Sequence, residues 1–153
     1  LYRRIREDLP EEDYIVPLHK AAVCREGSHV TILSWLLMHH LSMAAAQALA
    51  AEGIDVEVID VRSLSPFDYD TMGRSVEKTG YVVIVEEGPK TGSVSAELAA
   101  GITERFGNSL MAPVTRIASP DVPVPFSPVL EDAYRPDTPR IIEAVQSILG
   151  FPG

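Results

Sequence analysis

Cysteine is almost missing from this chain of 153 residues: Cys24 stands alone, so no internal disulfide can form. That usage is consistent with a reducing compartment. The histidines are His19, His29, His39 and His40, with no cysteine spacing to complete a zinc set. The adjacent pair cannot point the same way on a helix. Positive charge is scarce as well. Thirteen Lys and Arg face 22 Asp and Glu, a net charge of −9. Such a balance counts against nucleic acid as a partner and favours a basic protein surface. A long uninterrupted apolar run is also lacking. Val30–Ala51 comes nearest, but His39, His40, Ser42 and Gln47 break it into a β-rich half and an alanine-rich half. No membrane span is expected there. The chain opens on "LYRRIREDLPEEDY", charged and loop-like, so residues 1–19 read as an interdomain linker of a longer chain and 20–153 as one domain.

What is present is an alternation of strand and helix signals. Lys20–Arg25 reads as a short strand, "EGSH" as a turn, and Val30–Trp35 as a buried strand. Residues 39–52 read as a helix closed by Gly53. Asp55–Val61 alternates as a strand. Ser65 as N-cap, Pro66 at the first helical position and Asp68 in the first turn open a helix that runs to about Lys78 and ends at Gly80. Tyr81–Val85, 93–106, Pro113–Ala118 and 138–149 follow as strand, helix, strand and helix. "SPDVPVPFSPVLEDAYRPDTP" packs six prolines into 21 residues and reads as an ordered meander, too proline-rich for a helix. Continuous apolar strands imply burial on both faces. The fold class is therefore α/β, a three-layer αβα sandwich around a five-stranded mixed sheet with one antiparallel edge strand. The short first turn pairs the first strand with the second.

The residues offer little chemistry of their own. "VVIVEEGPKTGSVSAELAAGI" places a glycine-bearing loop between a strand and a helix, the setting in which α/β proteins hold phosphates. A P-loop needs Gly-x4-Gly-Lys-Ser/Thr and a dinucleotide fold Gly-x-Gly-x-x-Gly; "GPKTGSVS" is neither. A tight turn with Thr91 or Ser93 capping the helix is the plainer reading. An anion or a partner's carboxylate at the helix start, beside Lys90, is the sharper one. Asp60 ends a strand as a phospho-acceptor would, but no set of acids and lysine accompanies it, so Asp60 and Arg62 read as fixing a turn or facing a neighbouring domain. Glu86 and Glu87 are neighbours in a strand and point to opposite faces, so they cannot share a substrate, and helix-end neutralisation or a salt bridge is the plainer reading. His40 has no visible Asp or Ser partner, and no Gly-x-Ser-x-Gly elbow is present. The chain reads as a module serving a larger enzyme.

"EGIDVEVIDVRSLSPFDYDTMGRSVEKTGYVVIVEEGPKTGSVSAELAAGI", with "EGSHVTILSW" before it and "PVTRIASPDVPVPFSPVLEDAYRPD" after, resembles the C-terminal domain of the β subunits of the 2-oxoacid dehydrogenase family. Those are the decarboxylating components of pyruvate, branched-chain 2-oxoacid and acetoin dehydrogenases. The resemblance implies a transketolase C-terminal-like fold within an α2β2 heterotetramer. It also implies thiamine diphosphate and magnesium in the whole enzyme, and acyl transfer to a lipoyl acyltransferase. The cofactor and the activating glutamate belong to other parts of that enzyme, so no catalytic, cofactor or metal residue is carried onto this chain. A bacterial member would be cytoplasmic; a eukaryotic one would sit in the plastid or mitochondrial matrix. Two other readings remain: the C-terminal domain of a single-chain transketolase or deoxyxylulose-phosphate synthase, and a free-standing non-catalytic binding domain.

Three positions, at two places in the chain, depart from the family pattern. Ser93 and Ser95 stand where Thr-Gly-Gly-x-Gly-Ala-Glu has its latter glycines, and Leu36 stands where a small residue is common. The expected partner contacts are Thr91, Gly92 and Ser93 in the loop, and Glu131, Asp132 and Asp137 in the meander. The acids would face the acyltransferase while the domain pairs with a second copy.

Overall fold

The structure is a computed structural model, and it describes Ile5, Asp8 and residues 11–150. Most of residues 1–10, half of the expected linker, lie outside the described residues; residues 11–19 form no helix or strand.

Five strands are present: β1 (Ala22–Arg25), β2 (Val30–Ser34), β3 (Val56–Asp60), β4 (Val82–Pro89) and β5 (Thr115–Ser119). They form one sheet in the order β1-β3-β2-β4-β5. β2, β3, β4 and β5 are parallel, and β1 is the antiparallel edge. The expected pairing of β1 with β2 is wrong. β2 is central and both its edges are taken by β3 and β4, so β1 crosses to pair with β3.

Helices α1 (Leu37–Ala51) and α5 (Thr138–Ile148) cover one face, over Val30, Ile32, Val56, Val58, Val83 and Val85. Helices α2 (Tyr69–Thr79) and α3 (Val94–Phe106) cover the other, over Leu33, Ile59, Val82 and Ile84. Alternate strand residues thus feed two separate cores, as period-2 geometry requires. All five β2 residues are buried, which is why the sequence shows no polar alternation there.

Two boundaries are corrected. Ser65 is not the cap of α2 and Pro66 is not its first residue; the cap is Asp68, which accepts from the Thr71 N–H at 3.3 Å and the Thr71 hydroxyl at 2.8 Å. The same carboxylate accepts from the Ala21 N–H at 3.0 Å, so it also fixes the chain entering β1. The proline-rich stretch is not all meander: Pro128–Tyr134 is a short helix, α4. Pro128 sits at its first turn, where no intrahelical N–H is lost, so the proline count did not forbid it.

Candidate functional site

β4 runs past its apolar core into Glu86 and Glu87, and the two acids part as strand neighbours must. Glu86 is buried and Glu87 exposed. Glu86 Oε2 accepts from the Ser95 N–H at 3.0 Å, inside the first turn of α3. The four leading N–H groups of a helix want an anion, and here the protein's own strand supplies it. The capping reading is corrected accordingly. Ser93 occupies the N-cap position but its side chain makes no cap bond; its hydroxyl goes to the Lys90 carbonyl at 3.4 Å and to the Ser95 hydroxyl at 2.9 Å. A diphosphate does not fit this helix start, because a buried carboxylate already stands there and would repel it.

Thr91 does not cap α3 either. Its N–H and hydroxyl both donate to Asp121, at 2.9 and 2.6 Å. The Thr91 hydroxyl, first among several donors, holds the Asp121 carboxyl below its usual range. Lys90 N–H donates to the Ser119 carbonyl at 3.0 Å, and Arg116 donates to the Lys90 carbonyl at 2.9 Å. Gly92 has φ 67, a left-handed conformation that a side chain resists, and open space around it. The loop is therefore laced to β5 and presents Thr91 and Gly92 outward.

The three acids expected to dock a partner are each placed differently. Glu131 is half-buried on α4. Asp132 pairs with Arg135, whose side chain is only 8% exposed and lies 3.6 Å from Glu87. Asp137 caps α5, accepting from the Arg140 N–H at 3.0 Å. Sequence reading missed Arg135, the buried cation that ties β4 to α4; a lone arginine among prolines gives no pattern signal. Around α4 the segment exposes Val122, Val124, Phe126, Val129 and Leu130.

At the carboxyl ends of β2 and β3 lies a second concavity of about 550 Å³, lined by Trp35, Leu36, His39, His40, Asp60 and Arg62 among others. Leu36 and Arg62 have φ of 54° and 55°, both in the left-handed region. Arg62 Nε lies 3.6 Å from Asp60 Oδ2, and the Arg62 N–H donates to Asp60 Oδ1 at 3.2 Å. Asp60 thus fixes its own turn. Among the described residues no three of His, Cys, Asp and Glu gather to hold a metal.

The fold and these placements can be set beside known proteins. The model of the transketolase C-terminal domain matches residues 19–141. The chain belongs to the transketolase C-terminal domain family. Among curated relatives, it is 43% identical over 97% of its length to a chloroplastic pyruvate dehydrogenase E1 component subunit beta-3 of Oryza sativa subsp. japonica, covering 38% of that protein. It is 42% identical over 99% of its length to the pyruvate dehydrogenase E1 component subunit beta of Bacillus subtilis (strain 168), covering 46% of that protein. The chain therefore spans less than half the length of these relatives. A solved split-gene transketolase, described as an inactive beta4 tetramer, matches at TM-score 0.78 and 29% identity over 94% of this chain and 45% of its own. Ser93 and Ser95, at the positions where the resemblance led to an expectation of glycine, pair through their hydroxyls.

Proposed function

We propose that this chain is the C-terminal part of the β subunit of a thiamine-diphosphate-dependent 2-oxoacid dehydrogenase, with pyruvate as the substrate of the whole enzyme. The observation that carries this is identity of 42–43% across nearly the whole chain to pyruvate dehydrogenase β subunits from a plant plastid and a bacterium. The domain's task is assembly and docking rather than chemistry. Its partners are the α subunit, a second β subunit in an α2β2 arrangement, and a lipoyl acyltransferase. Thiamine diphosphate and magnesium belong to the rest of the enzyme, in agreement with a helix start filled by Glu86. The setting is bacterial cytoplasm or a plastid. Residues 1–19 act as the linker to the preceding domain.

Within this reading, Thr91, Gly92 and Ser93 face a neighbouring domain or subunit, and the acids on and beside α4 attract a basic partner. Glu131 is the strongest of the three acids, since Asp132 and Asp137 already hold Arg135 and the α5 start. Charge complementarity of this kind raises association rate and fades with salt.

The test is to co-express the whole gene with an α subunit and measure pyruvate-dependent reduction of an artificial acceptor, with and without the domain. Activity on pyruvate that depends on the domain is expected; activity on a ketose phosphate instead would favour the transketolase reading, which the split-gene structure supports. Calorimetry of the 153-residue chain with thiamine diphosphate and magnesium is expected to show no binding. Micromolar binding would overturn the placement of the cofactor elsewhere. Glu131→Ala in the whole enzyme should slow acyltransferase association at low ionic strength only; an unchanged rate removes Glu131 from the docking surface.

A further inference from the structure

A left-handed backbone is unfavourable for any residue that carries a Cβ. Among the described residues three non-glycine residues adopt it: His19, Leu36 and Arg62. All three gather at one end of the molecule. Leu36 and Arg62 line the concavity at the carboxyl ends of β2 and β3. His19 Nδ1 lies 3.3 Å from the hydroxyl of Ser63, the neighbour of Arg62. Strain that clusters in this way points to a place held for something beyond the stability of the turn itself.

Leu36 is the sharpest case. Its φ of 54° comes with a ψ of −132°, the conformation of the first corner of a type II′ turn, which glycine normally supplies. The leucine side chain brings little packing in return, since it is 62% exposed. Backbone and side chain are thus both unfavourable in the domain by itself. A cover over the side chain would offset them. The neighbourhood is apolar as well. Residues 11–19 are exposed and carry Tyr14, Ile15, Val16 and Leu18, with Ile15 93% and Leu18 83% exposed. Tyr14 and Val16 line the same concavity, together with Leu36, Leu64 and the nearly buried Trp35. A contiguous apolar patch beside charged groups marks an interface. It suits a protein surface better than a small anion, because the Arg62 guanidinium already lies on Asp60.

The chain indicates which surface. The segment that lines the concavity is the one that leads from β1 back toward residue 1. The matched family model is that of a C-terminal domain, and the chain spans 38% and 46% of two curated relatives. The remainder of such a subunit precedes the match, and a short tether keeps it at high local concentration beside the concavity. We infer that the concavity at the carboxyl ends of β2 and β3 is the seat of the domain that precedes the linker in the same subunit, with Leu36 as the side chain it covers. This rests on the reading of residues 1–19 as a linker.

The test uses the whole β subunit assembled with an α subunit. A photoreactive benzophenone amino acid is placed at Leu36, and cross-linked peptides are read by mass spectrometry. Cross-links within one chain, to peptides that precede residue 1, are expected. The same label at Leu64, whose backbone is not left-handed, serves if the first variant does not assemble. Cross-links only to the α subunit, to the second β subunit or to added acyltransferase overturn the inference, as does their absence. A gene that encodes nothing before residue 1 overturns the linker reading as well, so the two failures are told apart. Leu36→Gly in the same assembly gives a second measurement, since it relaxes the turn but removes the covered side chain. Protease cleavage within residues 11–19 tracks opening of the two domains and should quicken on the order of tenfold. An unchanged cleavage rate overturns the inference.

Discussion

Helices α2 and α3 pack together on one face of the sheet, and their first turns are satisfied in opposite ways. The carboxylate that caps α2 is Asp68, the residue immediately before it. The carboxylate at the start of α3 is Glu86, nine positions before the N–H it accepts and on another element. A local cap lets a helix start wherever the residue stands. A remote cap makes the helix start depend on the strand and loop that deliver it. Asp68 adds a second duty that Glu86 lacks, since it also holds Ala21 and Lys20 at the entry to β1.

The largest expected effect follows from that double duty. Asp68→Ala strips the α2 cap and leaves the Ala21 and Thr71 N–H groups without an acceptor, so it should cost about 3 kcal/mol in urea unfolding. Asp68→Asn keeps one acceptor oxygen and should cost about half as much. Equal and small costs for both substitutions would show that neither the cap nor the link to β1 contributes much to stability.

The same carboxylate predicts an acid limit. Burial works against its charge, but donation from the Thr71 hydroxyl, the Ala21 and Thr71 N–H groups and Lys20 outweighs burial and holds its pKa below the ordinary aspartate value. A group whose folded pKa is depressed adds stability that is present above its unfolded pKa, about 4, and lost as pH falls through the folded value. Stability should therefore drop below about pH 4, and Asp68→Asn should flatten that part of the profile. An unchanged acid limb in the variant would assign the loss to other carboxylates.

A smaller and more local effect is expected at the remote cap. Glu86→Ala leaves the buried Ser95 N–H without its acceptor and should cost about 2 kcal/mol. Glu86→Gln retains an acceptor and should cost less, though the charge at the helix start is gone. Hydrogen exchange separates the two helices: Glu86→Ala should expose the first-turn amides of α3 and leave those of α2 protected. Loss of protection in both would mean that the two starts are coupled through their packing.

The contrast also explains what could be read in advance. Strand and helix alternation was legible because runs such as "VTILS" and "VVIV" are buried on both faces and punctuated by Gly53 and Gly80. The layer order followed from it. The α2 cap was within reach, since Asp68 was already in view, but "SP" before it mimicked a start signal. At α3 the role was legible and the partner was not: helix-end neutralisation was the plainer reading of Glu86 and Glu87, but nothing in a linear pattern says that Glu86 folds back onto Ser95. The β1 partner failed for the same reason: a short turn suggests a hairpin, while the central position of β2 is a property of the whole sheet. At α4, a proline at the first turn was mistaken for a helix breaker. Of the loop residues, Thr91 read as a helix cap or a partner contact, and its engagement with Asp121, thirty positions away, was invisible.

That engagement provides the smallest expected effect and a test of what the loop is for. Thr91 and Asp121 are both exposed, and the pair bridges the β4–α3 loop to the turn after β5. Solvent screens such a contact, so Thr91→Val should leave stability in urea unfolding nearly unchanged. It should raise the Asp121 pKa toward the ordinary aspartate value, which a carboxyl NMR titration would read directly, because the Thr91 hydroxyl is the leading cause of its depression. Exchange at Thr91 and Gly92 should quicken while the first turn of α3, held by Glu86, stays protected. The loop would then be ordered for what it presents outward, and not because α3 needs it. A loss of stability as large as that of Glu86→Ala would reverse the assignment and make the Thr91–Asp121 bridge the true support of the helix start.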